Sequence, residues 1–125
     1  MKGDDLRVRT KKFALRVLNV VDALPNTVKG RTIANQLARA GTSVGANYRA
    51  ACRGRSKAEF ISKLGTVIEE ADESAFWLEM IIEDGLLKKS LMQPLWDEAS
   101  ALVAIMTTSR KTAESSVRRE KRSSA

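Results

Sequence analysis

Apolar residues recur at spacings of three and four in four separate segments of this 125-residue chain, and this periodicity constrains the fold more than any other feature. In the first segment, residues 4–23, the stripe includes Phe13, Val17 and Val21. Such a stripe occupies one face of an α-helix and must be buried against another element. No alternating apolar–polar run flanked by turn residues, the pattern typical of a strand, occurs in the sequence. The chain is therefore predicted to be all-α.

Three breaks separate the predicted helices. Pro25 ends the first helix, because the residue before a proline is disfavoured in the helical conformation. Ser56 and Glu59 form a capping box, which predicts a helix start at residue 57, and Gly85 is a typical helix stop. The predicted helices are residues 4–23, 30–52, 57–84 and 90–113. Short connections between helices of this length predict an antiparallel up-down-up-down four-helix bundle.

The chain divides into two predicted units. Residues 1–114 form the bundle, whereas residues 115–125 are rich in serine and charge and lack the apolar period. Such a segment buries too little apolar surface to offset the conformational entropy that it would lose on folding. Residues 115–125 are therefore predicted to be a flexible basic tail.

Two glycines four residues apart, Gly41 and Gly45, lie inside the second predicted helix. Glycine in a helix interior costs about 1 kcal/mol relative to alanine, so the pair needs a reason. Two interpretations remain open at this point. The first is close approach of a neighbouring helix, and the second is a tight contact between subunits or a bend.

The composition excludes several classes of enzyme. Histidine is absent, which excludes histidine metal ligands and every mechanism that uses imidazole as a general base. No glutamate spacing repeats on a second helix in the way a carboxylate metal site requires. We therefore expect a non-enzymatic protein without a cofactor or bound metal.

The single cysteine, Cys52, has no partner for an intrachain disulfide, which is compatible with a reducing compartment. The first five residues lack the apolar core of a signal peptide. The longest apolar run, residues 101–106, is far shorter than the roughly 20 residues that a membrane helix needs. We expect a cytoplasmic protein with no membrane partner.

The net charge of +7 is distributed unevenly along the chain. Residues 23–58 carry seven bases and no acid, whereas residues 59–84 carry eight acids and one base. Three explanations remain open: pairing between the second and third helices, pairing with another subunit or a protein partner, and binding of nucleic-acid phosphates. Glu73 lies beside the apolar stripe and needs a basic partner, for which Arg39 and Arg49 are the candidates.

The candidate nucleic-acid-binding residues are bases of the second helix, of the following loop and of the tail. A basic segment of this kind is able to follow a phosphate backbone. The candidates are Arg39, Arg49, Arg53, Arg55, Lys57, Arg118, Arg119, Lys121 and Arg122.

Several stretches together resemble one known family. The first is residues 36–49, which read QLARAGTSVGANYR. The others are Arg55-Ser56, residues 59–61, 63–64, 70–74 and 76–79, and residues 98–112 match more loosely. In these positions the chain resembles the bacterial four-helix-bundle family, also called the 23S rRNA intervening-sequence protein family. The resemblance covers residues 13–113.

The resemblance implies an antiparallel four-helix bundle that assembles into a ring-shaped homopentamer. Some relatives are encoded inside insertions in ribosomal RNA genes, and others are accessory proteins of retroelements that engage nucleic acid and a reverse transcriptase. Asn47, Ser56 and Glu73 are polar residues within the motif, and buried hydrogen bonds that fix helix register are an alternative role for them. This chain departs from the family pattern at Ala50, where a glutamate is common.

These observations predict a homopentamer that binds RNA or DNA through its basic surface. The alternative is a structural or adaptor module whose charged faces serve self-assembly or a protein partner.

Overall fold

Four helices account for nearly all of residues 2–124, the part of the chain that the computed structural model describes. They are α1 (Lys2–Ala23), α2 (Val28–Cys52), α3 (Lys57–Glu83) and α4 (Lys89–Ser123). The predicted all-α class and four-helix bundle are confirmed.

The helix ends follow local capping rules. Ser56 caps α3 by accepting a hydrogen bond from the backbone N–H of Glu59 at 3.1 Å, as the capping box predicts. Thr27 caps α2 in the same way through the N–H of Gly30, so α2 begins two residues earlier than predicted. Gly85, with φ of 69°, ends the third helical segment in the left-handed conformation that glycine adopts without strain.

Each helix packs along the next one in the chain, whereas α1 and α4 meet over a much smaller area. One continuous core lies between the helices, and its fully buried residues come from all four of them. In α3, Ile81 is fully buried, while its neighbour Ile82 is only partly buried. The bundle is therefore closed along three seams and more open along the α1–α4 seam.

The glycine pair of α2 lies against α1. A methyl group added at Gly41 would come within 2.6 Å of Val17 Cγ1, and one added at Gly45 would come within 3.3 Å of the Thr10 carbonyl oxygen. Both glycines therefore allow α1 and α2 to approach closely, which favours the first of the two interpretations.

The predicted flexible tail is not confirmed, because α4 continues without a break from Ala113 to Ser123. Two contacts support the extension: Lys57 Nζ donates a hydrogen bond to Ser116 Oγ at 2.8 Å and forms an ion pair with Glu120. The segment is also rich in Glu, Lys and Arg, which are good helix formers. Ala125, the last residue of the predicted tail, lies outside the described residues.

Substitution of Gly41 by alanine is expected to lower the free energy of unfolding by about 1–3 kcal/mol, because overpacking against Val17 outweighs the better helix propensity of alanine. Gly65→Ala is the matched control. A methyl group there meets only Arg110 Nη1, at 3.8 Å, so this change should stabilise the fold by up to about 1 kcal/mol. Urea denaturation measures both. An equal gain in stability from both substitutions would contradict the close approach.

Candidate nucleic-acid interface

The end of α2, the loop at residues 53–56, the start of α3 and the end of α4 meet at one end of the bundle. The contacts of Lys57 with Ser116 and Glu120 join them. Because Lys57 follows the loop directly, these contacts hold the loop arginines beside the end of α4. We call this surface the basic end, and it consists of Arg49, Arg53, Arg55, Lys57, Arg118, Arg119, Lys121 and Arg122.

The side chains of the basic end are exposed. Within residues 2–124, Lys57 is the only one of them that forms an ion pair, and Arg118 donates a hydrogen bond to Ser115 Oγ. The nearest acid in sequence, Glu59, accepts a hydrogen bond from the backbone N–H of Arg55, and within residues 2–124 neither loop arginine forms a side-chain ion pair. The last turns of α2 and α4 also present their bases where the helix dipole favours cations. Eight of the nine predicted binding residues thus lie at one end of the bundle.

Arg39, the ninth predicted residue, lies elsewhere. Its Nη1 donates to Glu70 Oε2 at 2.9 Å, and its Nη2 donates to the Glu73 carboxylate. Trp77 Nε1 also donates to Glu73 Oε2, at 3.2 Å. Arg39 is ten residues from Arg49, or about 15 Å along the helix. Arg39 is therefore the basic partner that Glu73 was expected to need. The charge of Arg39 is balanced within the chain by Glu70 and Glu73.

The Arg39–Glu73 pair shifts the pKa of both groups. The hydrogen bond from Arg39 lowers the pKa of Glu73, although partial burial of the carboxyl acts in the opposite direction. The same hydrogen bond raises the pKa of Arg39. Both shifts favour the charged forms, so the pair persists into mildly acidic solution.

The other two residues of the predicted polar motif make local hydrogen bonds. Ser56 caps α3, as described above. Asn47 Nδ2 donates to the carbonyl oxygen of Ser43, one turn earlier in the same helix. Of the three motif residues, only Glu73 links two helices through its side chain.

A second arginine pair joins α1 to α4 and has no signal in the sequence. Arg9 donates two hydrogen bonds to Glu98, from Nε and Nη2, each at 2.7 Å. This bidentate geometry is the strongest form of arginine–carboxylate contact, and it raises the pKa of Arg9. Because the partners are 89 residues apart, only the folded structure identifies them.

Pairing between α2 and α3 accounts for part of the charge asymmetry. Besides the Arg39 contacts, Lys29 Nζ lies 2.9 Å from Asp84 Oδ2 at the opposite end of the bundle from the basic end. Along residues 2–124, no group of three or more carboxylate and thiol side chains is arranged to hold a metal ion. In the same part of the chain, no helix is sufficiently long and apolar to cross a membrane.

A sequence profile described as 23S rRNA-intervening sequence protein matches residues 5–108, which is most of the chain. The chain belongs to the 23S rRNA-intervening sequence protein family. This membership confirms the resemblance seen in the motifs of α2 and α3. No curated protein matches the sequence significantly.

One solved structure of the family's fold is similar along almost its whole length. It is a protein of unknown function from the S23 ribosomal protein family of Bacteroides thetaiotaomicron VPI-5482, with 30% sequence identity and a TM-score of 0.82. The match covers 89% of this chain and 99% of that chain. The two proteins therefore share the complete bundle.

Glu73→Gln is expected to destabilise the protein at pH 7 and to have a smaller effect at pH 3. The reason is the lowered pKa of Glu73: a carboxylate whose pKa falls on folding adds stability above its unfolded pKa, about 4.3, and that stability is lost as the pH falls through the folded value. Thermal unfolding at both pH values measures the difference. Glu69→Gln, which removes an exposed charge from the same helix, is the control. An equal effect of Glu73→Gln at both pH values would contradict this role.

Proposed function

We propose that this protein is a non-enzymatic, homo-oligomeric four-helix-bundle protein that binds RNA or DNA through its basic end. The observation that carries the proposal is the gathering of eight exposed bases from α2, α3, α4 and one loop at a single end of the bundle. Most of them have no acidic partner within residues 2–124, so their charge is available to phosphates. The description of the matched family, which refers to sequences within 23S rRNA, agrees with a nucleic-acid partner. No cofactor or metal enters the proposal.

Self-association is supported by two outer faces that complement each other. On α1, the exposed residues Val8, Leu15 and Leu18 share a face with Lys11 and Lys12. Helices α1 and α3 do not contact each other within residues 2–124, so this face is remote from α3 of the same chain. It is an apolar stripe flanked by positive charge.

The outer face of α3 has the same design with the opposite charge. Phe76 and Met80, 49% and 40% exposed, lie among Glu69, Asp72 and Glu83. Two different complementary faces on opposite sides of a subunit give head-to-tail association, which closes into a ring when the rotation between subunits permits. A pentameric ring is the assembly that the family resemblance implies.

The second candidate function is a structural or adaptor module. It is favoured by the same pair of faces, because they explain self-assembly or a protein partner without any nucleic acid. In that case the basic end would serve only solubility, or an acidic partner protein.

Nucleic-acid binding is tested by reversing charge at the basic end. The double variant Arg53→Glu, Arg55→Glu should weaken binding of a mixed-sequence RNA strongly. It should also reduce the slope of log affinity against log salt by about 1.4 for a single strand. Arg31→Glu, at the other end of α2, is the matched control and should change both quantities less. Fluorescence anisotropy across a salt series measures them.

Two results would contradict nucleic-acid binding: the absence of any salt-sensitive binding by the wild-type protein, or an equal loss from Arg31→Glu. The first would leave the adaptor function as the better account of the chain. Charge reversal at Arg49 separates the two candidates further. Loss of the oligomer would support the adaptor module, whereas an intact oligomer with weaker RNA binding would support the leading proposal.

Self-association is tested on the outer faces of α1 and α3. Leu15→Lys and Phe76→Lys should each reduce the molar mass measured by light scattering towards the 13.8 kDa of one chain, because each places a charge in an apolar contact. Val28→Lys changes a residue that is 74% exposed and lies outside both faces, so it should leave the mass unchanged. A wild-type protein that is monomeric at micromolar concentration would exclude the ring.

A further inference from the structure

An open groove of about 830 Å³ lies at the basic end, between the N-terminal part of α1, the end of α2, the start of α3 and α4. Its volume is in the range of small-molecule sites. Two features of the fold produce the groove. Helices α1 and α4 meet only sparsely, and α4, with 35 residues, is the longest helix of the bundle. The groove is therefore a gap in the α1–α4 seam that the core does not fill.

The floor of the groove is apolar and partly aromatic. Leu6, Phe60 and Tyr48 contribute to it. Phe60 is only partly buried, although it packs on the core, so part of its ring is open to a ligand. A flat, partly exposed aromatic surface in a groove is what a nucleobase needs for stacking.

One wall of the groove carries a row of hydroxyl groups from a single face of α4. Thr108, Thr112 and Ser116 are spaced by four residues and all line the groove. A hydroxyl both donates and accepts hydrogen bonds, so this wall suits the mixed donor and acceptor edges of a base and the hydroxyls of a ribose.

Tyr48 adds a hydroxyl on a largely buried ring. The residue is 3% exposed and still forms part of the groove lining. Burial, with the neighbouring Cys52 thiol as a lesser cause, raises the pKa of Tyr48 to about 12. The phenol therefore keeps its proton at physiological pH. Because a thiol is a weak hydrogen-bond partner, the phenol retains the capacity to bond a ligand.

The rim of the groove is positively charged. Arg7, Arg55 and Lys57 lie on it. Arg7 is paired with Asp4, the single acid of the lining, and Lys57 is paired with Glu120, so Arg55 is the rim base that forms no ion pair within residues 2–124. Arg55 and Lys57 belong to the basic end, so the groove opens directly onto the surface proposed to hold phosphates. An apolar floor with a basic rim favours a ligand that joins an aromatic ring to an anion.

We propose that the groove receives one unpaired nucleotide from a single-stranded nucleic acid that follows the basic end. The base packs against Phe60 and Leu6, the α4 hydroxyls bond its edge and the sugar, and the adjoining phosphates contact Arg55 and compete with Glu120 for Lys57. A base within a duplex has to be unstacked before it can enter, so the protein prefers single strands. This inference rests on the proposed nucleic-acid function and specifies the form of the partner.

The test compares a 12-nucleotide single-stranded RNA with a blunt duplex of the same sequence, both binding to the full-length protein. The wild-type protein should bind the single strand more tightly. Phe60→Leu, which keeps an apolar side chain but removes the ring, should weaken single-strand binding about tenfold and leave duplex binding unchanged. Trp96→Leu also removes a partly buried aromatic ring that packs on the core, but outside the groove and outside both association faces, and should alter neither affinity.

A second groove variant keeps the test valid if Phe60→Leu fails to fold. Thr112 is exposed and lines the groove, so Thr112→Glu places a carboxylate there without disturbing the core. Thr112→Glu should weaken binding of the single strand more than binding of the duplex. Thr32→Glu, on the exposed surface of α2 at the other end of the bundle, should show no such selective effect. Circular dichroism verifies that each variant is folded.

The outcomes separate the two proposals. Equal affinity for single strand and duplex, with no selective effect of Phe60→Leu or Thr112→Glu, overturns the groove as a nucleotide site and leaves the basic end as a general phosphate-binding surface. Absence of binding to either RNA overturns both proposals.

Discussion

The close approach of α1 to α2 at Gly41 and Gly45 is the contact on which the shape of this bundle depends. The two backbones come together where side chains are absent, and α1 is thereby held against α2 rather than midway between α2 and α4. The α1–α4 seam is correspondingly sparse. It is bridged by the bidentate Arg9–Glu98 pair, and it opens into the groove at the basic end. A packing requirement in the middle of the molecule thus determines where a ligand has room.

The arrangement of charged residues does not depend on this close packing of α1 and α2. Acids and bases that face each other across α2 and α3 are paired within the chain, as at Arg39 and Lys29. Of the bases at the basic end, only Lys57 forms an ion pair within residues 2–124, with Glu120. Pairing along the length of the bundle and exposed charge at its end are physically compatible, because surface ion pairs contribute little stability and their absence costs little. The basic end therefore carries its exposed charge at little cost in stability.

The proposed self-association and the proposed binding of a polyanion use different parts of the bundle. The complementary faces lie on the sides of the bundle, on α1 and α3, whereas the basic end lies at its tip. A ring built through the sides would present several basic ends together. Multivalent contact with one strand raises its overall affinity without any new contact in a single subunit.

Much of this protein is determined by local sequence. The apolar period specifies four helices, Ser56 with Glu59 and Gly85 specify two of their ends, and the motif of α2 and α3 identifies the family. These features could be predicted because each depends on residues within a turn or two of one another. The segregation of charge is likewise a property of the order of residues.

Other features were decided only by tertiary structure. The choice of Arg39 over Arg49 as the partner of Glu73, the pairing of Arg9 with Glu98, and the extension of α4 to Ser123 all depend on side chains brought together from distant segments. The groove is the clearest case, since Tyr48, Phe60 and Thr112 are unremarkable in sequence and form a site only when three helices converge. The sequence alone determines helices because their hydrogen bonds are local, whereas sites and long-range pairs depend on packing.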